Sequence, residues 1–146
     1  LAVGASVKIT NIPGYFPMKH DPILQSIFQD NATDLIGKSN IILIPSDKNR
    51  GGSTDMGDIS QLIPSCHPYT SGAVGPGHSK DYLIKDYESS VITPAKLLAM
   101  ATIDLLAEDG IKAQEVIQKH SSNMNKDSYL RFQRDLASLV EFDGAT

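Results

Sequence analysis

The sequence predicts an α/β or α+β layered domain, and three observations carry that prediction. An alternating segment stands near the start, a capped helix and a continuous apolar run follow it, and three helical segments fill the chain from residue 93 onward. Residues 6–12 alternate, with Val7, Ile9 and Asn11 on one face and Lys8, Thr10 and Ile12 on the other. That is the pattern of an edge or half-buried strand. Pro13 and Gly14 stop it, and Tyr15, Phe16 and Pro17 make an extended connector with aromatic anchors.

Asp21 followed by Pro22 reads as an N-cap with proline at the first helical position. Ile23, Leu24, Ile27, Phe28 and Leu35 form one stripe of the helix, and Gly37 stands where a glycine ends it. Residues 40–45 (NIILIP) are uninterrupted apolar sequence, which suits a strand buried on both faces. Residues 59–63 read as a short strand or a helical turn. Thr93-Pro94 repeats the cap-and-proline signature ahead of Leu97, Leu98, Ala101, Leu105 and Leu106, a helix expected to last to Ala107. Asp109-Gly110 breaks it, and a second helix carries Val116 and Ile117 to about His120. Asp127 or Ser128 is expected to cap a final helix with Tyr129, Phe132, Leu136, Leu139 and Val140 on one face.

A chain of 146 residues suits one domain with a real core. A 40% hydrophobic and 21% charged composition is that of a soluble globular protein. The net charge of −4, with no block of Lys or Arg, argues against nucleic-acid binding, which needs a basic footprint. One cysteine, Cys66, excludes an internal disulfide and a Cys-rich zinc knuckle, and it suits the reducing cytoplasm. No uninterrupted apolar run approaches the roughly 18 residues of a membrane span. The opening LAVGASVKIT lacks the basic start and apolar core of a signal peptide. Its first residue is not Met and a strand pattern begins at once, so the chain is expected to enter in mid-fold.

The chemistry concentrates between residues 49 and 86. His78 follows Gly75, Pro76 and Gly77 and precedes Ser79 and Asp81. A Gly-rich approach brings an imidazole into a cleft without crowding, where it serves as metal ligand or acid–base group. The plainer reading is a surface-loop histidine, since no HxH or HxxxH pairing accompanies it. Cys66 reads as a small, partly buried hydrophobe beside His67. His20, His67 and His120 read as structural, with His120 suiting a helix C-terminus. Arg50 and the run Gly51, Gly52, Ser53, Thr54, Asp55 form either an anion-binding nest or a tight turn that caps its own backbone. The Gly-Lys-Ser/Thr ending of a P-loop is absent. Asp55 and Asp58 would share one face of a helix, with Gly57 between them favouring a capping role. No Ser-His-Asp order and no paired catalytic glutamate is present. The residues alone define a soluble α/β piece with one candidate site.

The stretch RGGSTDMGDISQLIPSCHPYTSGAVGPGHSKDY resembles the closing segment of the M20 family of metal-dependent amidohydrolases and peptidases. It is nearest to the branch of aminobenzoyl-glutamate-type amidohydrolases. GSTDMGD and GPGHS carry the likeness together, and SVKITNIPGYFP resembles the last strand of that family's inserted lid domain. The resemblance covers residues 7–120. It implies that residues 1–13 are the last strand of the lid (dimerisation) domain. Residues 14–146 would be the C-terminal part of a mixed α/β/α metallohydrolase catalytic domain.

In such an enzyme one or two divalent ions, Zn²⁺ with Mn²⁺ or Co²⁺ as alternatives, activate water and polarise the amide of an N-acyl amino acid or small peptide. His78 matches the C-terminal metal ligand. Gly52, Ser53, Thr54 and Asp55 match the turn beside the substrate pocket, and Arg50 the arginine that some members place on a substrate carboxylate. The family's His-x-Asp or Cys-x-His element, bridging acid and Glu-Glu pair are not in this sequence. The resemblance therefore implies a C-terminal segment, inactive alone, of a cytoplasmic enzyme. Its partners are the N-terminal part of the same enzyme, a second copy, and a small amide substrate, with neither nucleic acid nor membrane. The alternative is a non-catalytic binding domain using the same loops.

Overall fold

Asp21 and Gly37 bound the first helix, as their sequence context requires. A computed structural model describes residues 4–44 and 54–144, and within them the chain is mixed helix and sheet. Helix α1 (Pro22–Ile36) begins where Asp21, in extended backbone, accepts from the N–H groups of Ile23 and Leu24, both at 3.0 Å. It ends at Gly37, whose φ of 82° few other residues adopt. The helix packs on α3 (Thr93–Lys119), and Ile27, Leu97 and Ala101 are buried. Asn31 of α1 donates to Asp104 of α3 at 2.8 Å. That bond, helped by Lys112, holds the Asp104 carboxyl below its usual range.

The start of α3 differs from expectation. Thr93 does not cap it, because Ile92 is already helical (φ −74°, ψ −47°) and a π-helical turn, Glu88–Ile92, runs straight into it. The true cap is upstream, where the Asp86 carboxylate accepts from Ser89 N (3.1 Å) and Ser89 Oγ (2.6 Å). The wide turn gives room to Pro94, whose ring would otherwise crowd the carbonyl four residues back. The break at Asp109-Gly110 falls as predicted. Ala107 is extended, and Glu108, Asp109 and Gly110 take φ of 51°, 57° and 73° before helix resumes.

The helical stretch Glu88–Lys119 is long and apolar enough, by length and composition, to cross a membrane. A count of uninterrupted apolar residues misses this, because Lys96 and Asp104 interrupt the run. Those two groups pair with Glu88 (2.9 Å) and Lys112 (3.4 Å), and the kink divides the stretch. Its length and composition are weak evidence for a span.

Helix α2 (Asp55–Ser60) resolves the ambiguity over residues 59–63 as a short helix and turn. It is laced to the connector that precedes α1. Gly57 is buried with its Cα against the Phe16 and Pro17 backbone. Asp58 Oδ1 accepts from Phe16 N at 2.8 Å, Ser60 Oγ from Lys19 N at 2.9 Å, and Gln61 Nε2 donates to the Pro17 carbonyl at 3.0 Å.

Helix α4 (Lys126–Leu136) closes the same corner. Asn125, not Asp127 or Ser128, is its N-cap, and Ser128 completes a reciprocal capping box. Phe16 packs on Phe132 with ring centroids 5.1 Å apart, and Tyr129 donates to Asp58 Oδ2 at 2.9 Å. Burial and then Asp58 raise the Tyr129 pKa. Tyr129→Phe removes the bond to Asp58 and the one its hydroxyl accepts from Gln133 Nε2 (3.2 Å), and is expected to cost about 2 kcal/mol, read as a lower urea midpoint at unchanged slope.

Two expectations for apolar sequence do not hold. Residues 41–44 form no strand, and Ile42 and Leu43 are 83% and 57% exposed. An apolar run becomes a buried strand only where neighbours satisfy its backbone, and none of the described strands lies beside it. Leu139 and Val140 are not helical. They belong to β4 (Ser138–Phe142), antiparallel to β1 (Val7–Asn11) with Val7 opposite Phe142 and Ile9 opposite Val140. The segment SLVEF satisfies a strand period as readily as the tail of a helical one, and β1 supplies the partner. All ten residues of this ribbon are exposed.

Candidate functional site

The loop that carries His78 is built by its glycines and one serine. It caps a hairpin of β2 (Ala73–Val74) and β3 (Leu83–Ile84). Gly72, with φ 104°, receives the N–H groups of Lys85 and Asp86 on its carbonyl (2.9 and 3.0 Å). A Cβ there would strike Ser90 Oγ and the Asp86 carbonyl, and one at Gly75 (φ 86°) would strike the Asp81 carbonyl. Within the loop Ser79 Oγ donates to Pro76 O at 2.8 Å and accepts from Asp81 N at 3.2 Å.

His78 stands at the tip, exposed, with φ 62°. Among the described residues its imidazole has no hydrogen-bond or ion-pair partner. Ser79 Oγ bonds to the Pro76 carbonyl and the Asp81 N–H, not to the ring. The loop geometry displays His78 outward.

Thr54 and Asp55 are used locally. Thr54 is the N-cap of α2, accepting from Met56 N at 3.4 Å, and its hydroxyl donates to Asp55 Oδ1 at 3.0 Å. Asp55 Oδ1 also accepts from Met56 N at 3.1 Å. For Thr54 and Asp55 alone this is the self-capping arrangement. Arg50, Gly52 and Ser53 lie outside the described residues. Among the described residues, no hydrogen bond joins Thr54 or Asp55 to His78.

No set of three His, Cys, Asp or Glu side chains among the described residues is placed to hold a metal ion. Among the described residues His78 is a single donor, which by itself does not fit the ion that the M20 resemblance implies.

The denser cluster is elsewhere, and sequence spacing does not reveal it. Asp21, buried, donates its N–H to Ser65 O at 2.8 Å, and its Oδ2 lies 3.7 Å from His120 Nδ1. His67 N donates to His20 Nδ1 at 3.4 Å. A cavity of about 290 Å³ opens beside this cluster, lined by Lys19, His20, Pro22, Ile23, Lys119 and His120 among others. His120 Nε2 is buried without a partner in the described structure. Burial pushes the Cys66 thiol up to about 11, which leaves it protonated and unreactive at neutral pH. A second hollow of about 340 Å³ lies along α4 between Asp127 and Asp135, with Arg131 and Arg134. Neither is lined by His78, Thr54 or Asp55.

No protein-family model, no curated protein and no solved structure matches this chain.

Proposed function

We propose that this chain is the C-terminal part of the α/β catalytic domain of a cytoplasmic M20-type metal-dependent amidohydrolase or peptidase. Its substrate class is an N-acyl amino acid or small peptide. His78 supplies one ligand to a divalent ion, and Arg50, Gly52, Ser53, Thr54 and Asp55 lie on the substrate side. The remaining ligands and the general base come from outside this sequence. The observation that carries the reading is the contrast among the histidines. His78 is displayed on a braced hairpin tip with its ring unengaged among the described residues, whereas His67 and His120 are partly enclosed and His20, though exposed, accepts from His67 N. A second support is uncovered apolar surface. Val7, Ile9 and Phe142 on the ribbon are about half exposed, and Leu98, Ile103 and Leu106 on α3 are more so. Patches of this kind mark surfaces that meet more protein.

The test compares two preparations, the complete polypeptide and the 146-residue chain, with N-acetyl amino acids as substrate. The complete polypeptide should carry divalent metal and lose activity to a chelator, and Zn²⁺ should restore it. The chain alone should give no metal-dependent turnover, because one histidine does not hold a catalytic ion. Turnover by the chain alone, or a metal-free complete polypeptide, would overturn the proposal. Binding of the substrate without hydrolysis would favour the non-catalytic alternative.

A further inference from the structure

Three of the chain's four histidines come from distant stretches and meet at one junction. His20 precedes α1, His67 follows the turn after α2, and His120 ends α3. Two bonds hold the 65–67 segment to the start of α1: Asp21 N to Ser65 O, and His67 N to His20 Nδ1. The second depends on a nitrogen that is an acceptor only while unprotonated.

The groups around His20 do not welcome a proton on it. Lys19 is on its own segment, its ammonium held by Ser121 O (2.6 Å) and Asn123 Oδ1 (3.2 Å). His67 faces it from the segment after α2, and Lys119 and His120 line the same cavity from the end of α3. Lys119 is paired with Glu115 at 2.6 Å. Asp21, the adjacent carboxylate, is already turned to two α1 N–H groups and to His120.

We propose that this junction is an acid-released latch: a solvent proton on His20 Nδ1 removes the acceptor of the His67 N–H and frees His67 from the connector ahead of α1, while the Asp21 N–H to Ser65 O bond stays. Burial, then the neighbouring His67, already hold the His20 pKa below the ordinary 6.5. The folded state thus favours neutral His20. The hold is fully present above the ordinary value and is lost as pH falls through the lower folded one. The latch is independent of the amidohydrolase reading.

The experiment is amide hydrogen exchange of His67 in the 146-residue chain, corrected for the intrinsic rate, from about pH 7.5 to about pH 5. Protection should fall roughly threefold to tenfold, the size of one hydrogen bond. The midpoint should coincide with the His20 ring titration followed by NMR. His20→Gln offers a side-chain carbonyl that does not titrate, so its protection should stay flat with pH. Flat protection in the wild type, a midpoint away from that of His20, or unchanged pH dependence in His20→Gln would each overturn the latch. If the variant does not fold, the wild-type comparison of midpoints decides.

Discussion

Gly57→Ala is expected to destabilise the chain by about 3 kcal/mol, the upper part of the usual range for overpacking a filled site. A Cβ at this position would collide with the Phe16 carbonyl oxygen and come within 2.9 Å of the Phe16 carbonyl carbon. Both obstacles are backbone, so no rotamer change relieves them. The Phe16 segment has little freedom to retreat. Its N–H is bonded to Asp58, its ring to Phe132, and the following Pro17 carbonyl to Gln61. Moving it therefore gives up those contacts together. Gly14→Ala is the control, since nothing lies within 4 Å of a Cβ there. Urea denaturation of the two variants should separate them clearly. Equal midpoints would show that α2 does not sit on the connector as described.

On the proposed amidohydrolase reading, replacing His78 in the full-length protein is expected to lower kcat/KM by much more than the roughly 10–100-fold typical of residues that only orient a ligand. Alanine at φ 62° would add backbone strain to the loss of the ring, so His78→Asn is the cleaner variant. Asparagine tolerates the left-handed region. It should leave the denaturation midpoint near wild type while removing activity, because His78 is exposed and bonds no described residue. His67→Ala should keep activity. His120→Ala should act on stability, since its side chain is mostly enclosed beside Asp21. A His78→Asn enzyme with wild-type kcat/KM would remove the basis for placing this histidine at the reacting centre.

What could be read in advance was what is local. Asp21-Pro22 and Gly37 bound α1 because capping is decided within a few residues, and Ala107 to Gly110 break α3 because Asp-Gly favours positive φ. The failures are non-local. Leu139 and Val140 continue the spacing of Tyr129, Phe132 and Leu136, so only pairing with β1, more than a hundred residues away, turns them into a strand. Residues 41–44 look buried by composition, but composition does not say what lies beside them.

The candidate site divides in the same way. The Gly75-Pro76-Gly77 approach reads as entry to a cleft or, more plainly, as a surface loop, and His78 stands exposed at the loop tip, whereas the Thr54-Asp55 turn announces its own cap. Asp58 as a bridge between Phe16 and Tyr129 was not legible, because its partners lie 42 and 71 residues away. Nor was the meeting of His20, His67 and His120, which depends on how α1, α3 and the segment after α2 converge.

The most direct measurement of the proposed amidohydrolase reading is the zinc content per chain of the full-length protein, in wild type and in His78→Asn, with His67→Ala as control. The account predicts that His78→Asn loses bound zinc while His67→Ala keeps the wild-type amount. Wild-type zinc in His78→Asn, or its loss in His67→Ala instead, would contradict it.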